Sequence, residues 1–349
     1  MTDARAPFAD RFRADASIFV QAYDSATDQA LIAMMSEADY RAASFLDERI
    51  MTQGRAAEWA GWDDLAAVSN GLRQDAQFIF HIGHVGSTLI ARLLGELPGV
   101  LALREPLILR ALAELARLKG RAESPWSPER FDRRVGDALG WLSRTFRQEQ
   151  RALVKATSFA SDVAPAVLRP GTKALFLYVN PATYMRTILA GENSVRELAS
   201  LSASRLTRLH ERIGAEPWRL WALSTGERAA LAWACEMAAL EAAANDDVLW
   251  MDFDAFLATP ADVLMRIAGH FGEPLDAAEA TRLTSGPIMQ RYSKAPEHGY
   301  SAELRREVLA QAERDWAEEL DRGARWIDAA GADHDLIGRA LARAAAKRG

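Results

Sequence analysis

The spacing of hydrophobic positions changes along this chain, from helical intervals at its start to short apolar runs in its middle. Residues 1–75 place apolar side chains at helical spacing, as in Ile18, Phe19, Ala22 and Tyr23, then Leu31, Met34 and Met35. That spacing predicts a helical N-terminal extension. At Gln77 the pattern switches. Gln77–Ile82 (QFIFHI) is a short β-rich run, followed by the turn GHVGS and the helical pattern TLIARLLGEL. Val100–Leu103 predicts a second strand that leads into a helix after Pro106. Helical periodicity returns over Asp132–Phe146. Ala152–Ala156, Lys173–Val179 and Asp247–Phe253 predict three more strands.

Strands that alternate with helices, and that are apolar almost throughout, belong to a parallel sheet covered on both faces. The pattern therefore predicts an α/β chain: a three-layer P-loop-type fold with a central parallel sheet of about five strands. The expected organisation is a helical N-terminal extension over 1–75, an α/β domain over 76–300 and a helical C-terminal tail over 301–349. A mostly helical insertion falls at about 190–243.

Composition narrows the function. The net charge of −6 over 349 residues gives no electrostatic reason for a nucleic-acid partner. The single cysteine, Cys235, precludes an internal disulfide, a thiolate zinc cluster or a Cys-x-x-Cys redox pair. The first residues lack the apolar core of a signal peptide, and no run of 18 apolar residues appears. The chain reads as a cytoplasmic protein with no membrane partner.

Chemistry concentrates at residues 78–94, FIFHIGHVGSTLIARLL. A buried strand entering a glycine turn that opens a helix points backbone N–H groups and the positive helix end at one place, which suits a phosphate-like anion. Gly83 and Gly86 permit the turn, His84 and Val85 lie between them, and Ser87 and Thr88 bring hydroxyls to the first helical turn. A Walker A loop needs GxxxxGK[ST]. Here the glycines are three apart and no lysine precedes Ser87, which disfavours ATP hydrolysis. A plain strand–helix turn without a ligand is the alternative reading.

GHVGSTLIARLL followed by PGVLALREPLILR resembles the 5′-phosphosulfate loop of the sulfotransferase superfamily, with His84 where that family carries Lys or Arg. VLWMDFDAFLATPADVLMRIAGHFGEPLD (248–276) is similar to the family's closing strand–helix unit. There Thr259 is expected to N-cap a helix that Pro260 opens, and Asp252 and Asp254 read as structural. A magnesium role for Asp252 is the competing reading. KALFLYVNPATYMRTILA (173–190) resembles the 3′-phosphate element, with Thr187 at its hydroxyl position, Val179 where the family has Arg, and Arg186 as a substitute cation. PIMQRYSKAPEHGYSAELR (287–305) resembles the late loop over the nucleotide, offering Arg291 and Lys294. Together these segments span about 78–305.

The resemblance implies a sulfotransferase that uses 3′-phosphoadenosine-5′-phosphosulfate, with no metal, and moves a sulfuryl group to a hydroxyl or amine. The acceptor, a small molecule or a peptide, and the oligomeric state are not legible. Cytosolic members carry Lys-Thr-His after the loop unit, whereas VKATSF keeps Lys155 and has Thr157 at the histidine's place. Glu105, in LREP, resembles the carboxylate base of the membrane-bound tyrosylprotein branch, and His84 and Lys155 complete the catalytic set that the resemblance implies. The alternative for Glu105 is to complement a helix N-terminus. His81 reads as a strand residue and His298 as a second candidate base. A divergent P-loop kinase and a non-catalytic nucleotide-binding protein remain as competing functions.

Overall fold

The computed structural model describes residues 11–13, 15–290 and 301–346. Five parallel strands form its centre: β4 (Gln77–His81), β5 (Val100–Arg104), β6 (Arg151–Lys155), β7 (Ala174–Tyr178) and β8 (Val248–Asp252). Their order is β5-β6-β4-β7-β8. β4, β5 and β7 are buried along their whole length, as the unbroken apolar runs require.

The crossover from β4 to β5 runs one way across the sheet, and those from β5 to β6, β6 to β7 and β7 to β8 run the other way. Right-handed crossovers then send the helix after β4 to one face and the later helices to the opposite face. Helix Ser87–Leu94 occupies the first face. The second carries Leu107–Leu118, Pro128–Leu142 and the long pair Glu192–Ile213 and Thr225–Ala243. The strands and the helical stretch over 190–243 thus form as their periodicities predict.

Residues 18–61 correct the sequence reading. Instead of a helical extension they build an antiparallel sheet of β1 (Ile18–Asp24), β2 (Gln29–Met34) and β3 (Ala57–Gly61), ordered β1-β2-β3. The register shifts between Val20 and Ala22, a β-bulge that inserts buried Gln21. The extra residue breaks the alternation of period two and leaves apolar positions at intervals that imitate a helix. The β-branched and aromatic start, Ile18-Phe19-Val20, fits a pleated surface and prevails.

This small sheet is fastened to helix Pro128–Leu142 and the chain just beyond it by polar contacts. The Arg134 guanidinium donates to Asp28 Oδ2 at 2.8 Å, Trp62 Nε1 donates to Asp137 at 3.0 Å, and the buried Arg144 donates to Ile18 O at 2.5 Å. It also covers an edge of the central sheet, where Leu46 N donates to Arg104 O of β5 at 2.6 Å.

The tail is helical, as its spacing predicts, in Ala302–Asp315, Ala317–Asp333 and Asp335–Ala345. The middle helix meets Thr225–Ala243 backbone to backbone, because a Cβ on Gly226 would lie 1.8 Å from Glu319 O. Among the described residues no helix is long and apolar enough to cross a membrane.

Candidate active site

Parallel strands deliver their following loops to one carboxyl edge, so that edge is where separate segments meet. The turn after β4 is shaped by two left-handed glycines, Gly83 (φ 89°) and Gly86 (φ 67°). Gly86 admits no side chain for a second reason: a Cβ there would lie 2.0 Å from the Phe253 ring. His81 fixes the turn's entry. Its Nδ1 accepts from Gly83 N at 3.0 Å and its Nε2 lies 2.9 Å from Ala156 O, so the ring is neutral with the proton on Nε2. His81 is therefore a strand residue that sets the turn, in keeping with its sequence reading.

Beyond the turn, helix Ser87–Leu94 presents its first N–H groups without intrahelical partners. Val85 is buried beneath, and Thr88 is only 2% exposed. Among the described residues the Thr88 hydroxyl has no hydrogen-bond partner. A buried hydroxyl left so is costly, by about 1–3 kcal/mol. An anion seated on the helix start would satisfy it. His84 holds a left-handed backbone (φ 56°), and its Nε2 lies 4.0 Å from Glu197 of helix Glu192–Ile213.

The second component is an ion pair. β5 and β6 run in register with Arg104 beside Lys155, and Glu105 N donates to Lys155 O at 2.7 Å. Glu105 leaves the strand in the left-handed region (φ 59°), uncommon for a residue with a side chain. Its carboxylate meets the Lys155 ammonium, which is 0% exposed. Glu105 does not cap the next helix, whose N-cap is Pro106 with no side-chain cap bond. Its carboxylate, 16% exposed, is paired with the buried Lys155 and stands just before that helix start.

Sequence reasoning missed the supports of this pair. Lys155 Nζ sits 5.6 Å from the centre of the Phe45 ring, and Arg49 stacks on that ring at 3.8 Å. Buried Arg104 holds the segment before Phe45, donating from Nε to Ala43 O at 2.8 Å and from Nη2 to Arg41 O at 3.1 Å. Burial pushes its pKa down to about 10. The signal available was Arg104 itself, a lone charge ending an apolar strand. Nothing in the sequence pointed to Phe45 or Arg49.

The third component, at β7 and β8, differs from expectation. Val179 is buried, and its carbonyl accepts from Trp233 Nε1 at 2.9 Å. The Arg186 guanidinium pairs with Glu313 of the tail at 2.9 Å, and Thr187 Oγ1 donates to Thr183 O at 2.8 Å. Both are thus bonded within the protein. A cation the sequence did not suggest stands here instead. Arg305, on the first tail helix, pairs with Asp254 at 2.7 Å and lies 5.7 Å from the Phe253 ring that covers Gly86.

Asp252 caps helix Phe253–Ala258 by accepting from Asp254 N at 2.8 Å, and burial raises its pKa. Thr259 stands at the N-cap position of Pro260–Phe271 but makes no side-chain cap bond. It also ends the preceding helix, and that double role fixes its backbone at φ −136°, ψ 70°. Pro260 does open the helix. Arg291, Lys294 and His298 lie outside the described residues. Among the described residues no group of three or more His, Cys, Asp or Glu side chains is arranged to hold a metal ion.

No family model and no curated relative matches the chain. Solved structures do. Mouse sulfotransferase SULT7A1 complexed with PAP is similar at 14% identity and TM-score 0.39, over 78% of this chain and 90% of that one. The sulfotransferase domain from the curacin biosynthetic pathway follows at 12% identity and TM-score 0.38, over 69% and 97% of the two chains. Sulfotransferase STF9 from Mycobacterium avium stands at 15% and 0.35, over 69% and 76%. At such values none of them assigns this chain a family or any of its residues a role.

Proposed function

We propose that this chain transfers a sulfuryl group from 3′-phosphoadenosine-5′-phosphosulfate to a hydroxyl or amine. The observation that carries this reading is the meeting, at one sheet edge, of an anion-seating turn with an unsatisfied Thr88 hydroxyl and a carboxylate fixed by a buried lysine. The donor supplies an activated sulfur whose bond to the phosphate oxygen breaks as the acceptor oxygen bonds to sulfur. Glu105 takes the acceptor's proton, and Lys155, buried behind it, orients the carboxylate. The helix start, Ser87 and Thr88 hold the phosphate that leaves with the electron pair, and His84 faces that charge from the turn.

The kinase alternative is the weaker one, since the Asp252 carboxylate already caps a helix. Calorimetry with 3′-phosphoadenosine-5′-phosphate, ATP and ADP, each with and without magnesium, decides between them. The bisphosphate is expected to bind without magnesium and at least about tenfold better than ATP, about 1.4 kcal/mol. Magnesium-dependent ATP binding with no response to the bisphosphate would establish the kinase instead.

A further inference from the structure

A second cationic site lies away from the turn. Helices Leu107–Leu118 and Glu192–Ile213 approach at their C-terminal ends over the short helix Ser158–Val163, leaving an open cleft of about 220 Å³. Arg117, Arg121, Arg208 and Arg212 line it, with Asp162 and Glu211 as its carboxylates. Each carboxylate is shared between two guanidiniums. Glu211 pairs with Arg117 at 3.3 Å and Arg121 at 3.0 Å, while Asp162 takes Arg208 at 2.6 Å and Arg212. Four positive charges against two negative leave a surplus of two (4 − 2 = 2). Counting the deeper Glu236 with its partner Arg205 leaves the surplus unchanged.

That surplus sits in a chain whose net charge is −6, so it is a local feature and not a consequence of composition. Two donors in it, Arg117 Nε and Arg212 Nη1, are buried without a hydrogen-bond partner among the described residues. The base of the cleft is rigid, because Arg208 and Asp162 are both nearly fully buried. Planar guanidiniums held by rigid carboxylates match a tetrahedral dianion, which accepts several charge-assisted hydrogen bonds at once.

We propose that this cleft binds a phosphate- or sulfate-type dianion. On the sulfuryl-transfer reading, this group is carried by the acceptor at the end remote from the reacting hydroxyl. Helix Leu107–Leu118 starts just after Glu105 and reaches the cleft at Arg117, about 15 Å further along its axis at 1.5 Å per residue. The short helix that floors the cleft starts at Ser158, 3.5 Å from a Cβ position on Gly83. One extended acceptor therefore reaches from the base to the arginines.

The probe is inorganic pyrophosphate, titrated calorimetrically into the full chain carrying Thr88→Val, which weakens the turn as a competing anion site. Thr88→Val is expected to retain a pyrophosphate-binding event that Thr88→Val/Arg121→Ala loses by tenfold or more. Arg121 is half-exposed, so its truncation leaves the fold intact; Arg117→Gln is the second variant, and unfolding midpoints check both. Equal affinity with and without Arg121 and Arg117, or no binding in Thr88→Val, overturns the site. Binding of 3′-phosphoadenosine-5′-phosphate by Arg121→Ala is expected to equal that of the unsubstituted chain. If that nucleotide fails to bind at all, the donor reading falls while the dianion site is still judged by pyrophosphate. If the site stands, aryl alcohols with a phosphate about 15 Å from the hydroxyl should show a KM at least tenfold lower than unphosphorylated ones, and Arg121→Ala should erase the difference. An unchanged KM ratio in that variant removes the acceptor part of the proposal.

Discussion

The two halves of the site are assembled in different ways. The half proposed to seat the donor is largely one continuous segment, Gln77–Leu94, in which strand, glycine turn and helix start follow directly along the chain. The half proposed to carry the base combines Glu105 after β5, Lys155 on β6, and Phe45 and Arg49 from the N-terminal unit. A local half tolerates change elsewhere in the molecule. A composite half depends on every element that seats it, so damage to the N-terminal sheet should reach the carboxylate before it reaches the turn.

The largest expected effect isolates the base. Glu105→Gln should lower turnover by about 10²–10⁴-fold while leaving bisphosphate affinity within about twofold. Bisphosphate release with a turned-over phenol or amine measures this, and a wild-type rate would remove Glu105 from the mechanism. Lys155→Met, which leaves Glu105 without its buried partner, should lower turnover together with stability.

On the donor half, Thr88→Val should weaken the bisphosphate by about tenfold, the value of roughly one hydrogen bond to a charged group. The same change removes an unsatisfied buried hydroxyl, so the unfolding midpoint should hold or rise. Unchanged nucleotide affinity in that variant would mean that the turn is merely a connection.

A smaller effect tests how the nucleotide's second phosphate is met. Arg305 is paired with Asp254, and Asp254 also accepts from Thr183 Oγ1 at 3.2 Å. Asp254→Asn keeps the acceptor for Thr183 and releases Arg305, so the bisphosphate should bind about three- to tenfold more tightly, about 1 kcal/mol. Arg305→Ala should bind it more weakly. Weaker binding in both variants would show that the pair supports the site only as it stands.

The smallest effect concerns acid. Arg134 donates to Asp28 and holds its carboxyl at about 2. A depressed carboxyl contributes stability that is complete above the unfolded value of about 3.9 and is lost as pH falls towards 2. Asp28→Asn should therefore flatten the fall in unfolding midpoint between about pH 4 and pH 2. The slope difference will be small because Asp28 is two-fifths exposed, where solvent screens the pair. If the base half is composite, acid in that same window should also lower turnover before it lowers bisphosphate affinity. Parallel losses would break the contrast between the halves.

What the amino-acid sequence by itself determined is what local rules control. Strands of a covered parallel sheet are largely apolar, so β4 to β8 were legible from their runs. Gly83 and Gly86, three apart between a strand and a helix, give the left-handed turn that joins them. What only the tertiary structure decided depends on residues far apart in the chain. The bulge at Gln21 is defined by pairing with β2, and without that pairing the apolar spacing looks helical. The left-handed backbone of Glu105 is held by the carbonyl of Lys155, and the stacking of Phe45 over that pair requires Arg104 to fasten the end of the short helix Glu37–Ala42. Arg186 was legible as a cation beside Thr187, but its pairing with Glu313 was not, because that contact joins positions 127 residues apart. Backbone conformation of single residues and ion pairs across long sequence separations leave no periodic trace, so they appear only once the chain is packed.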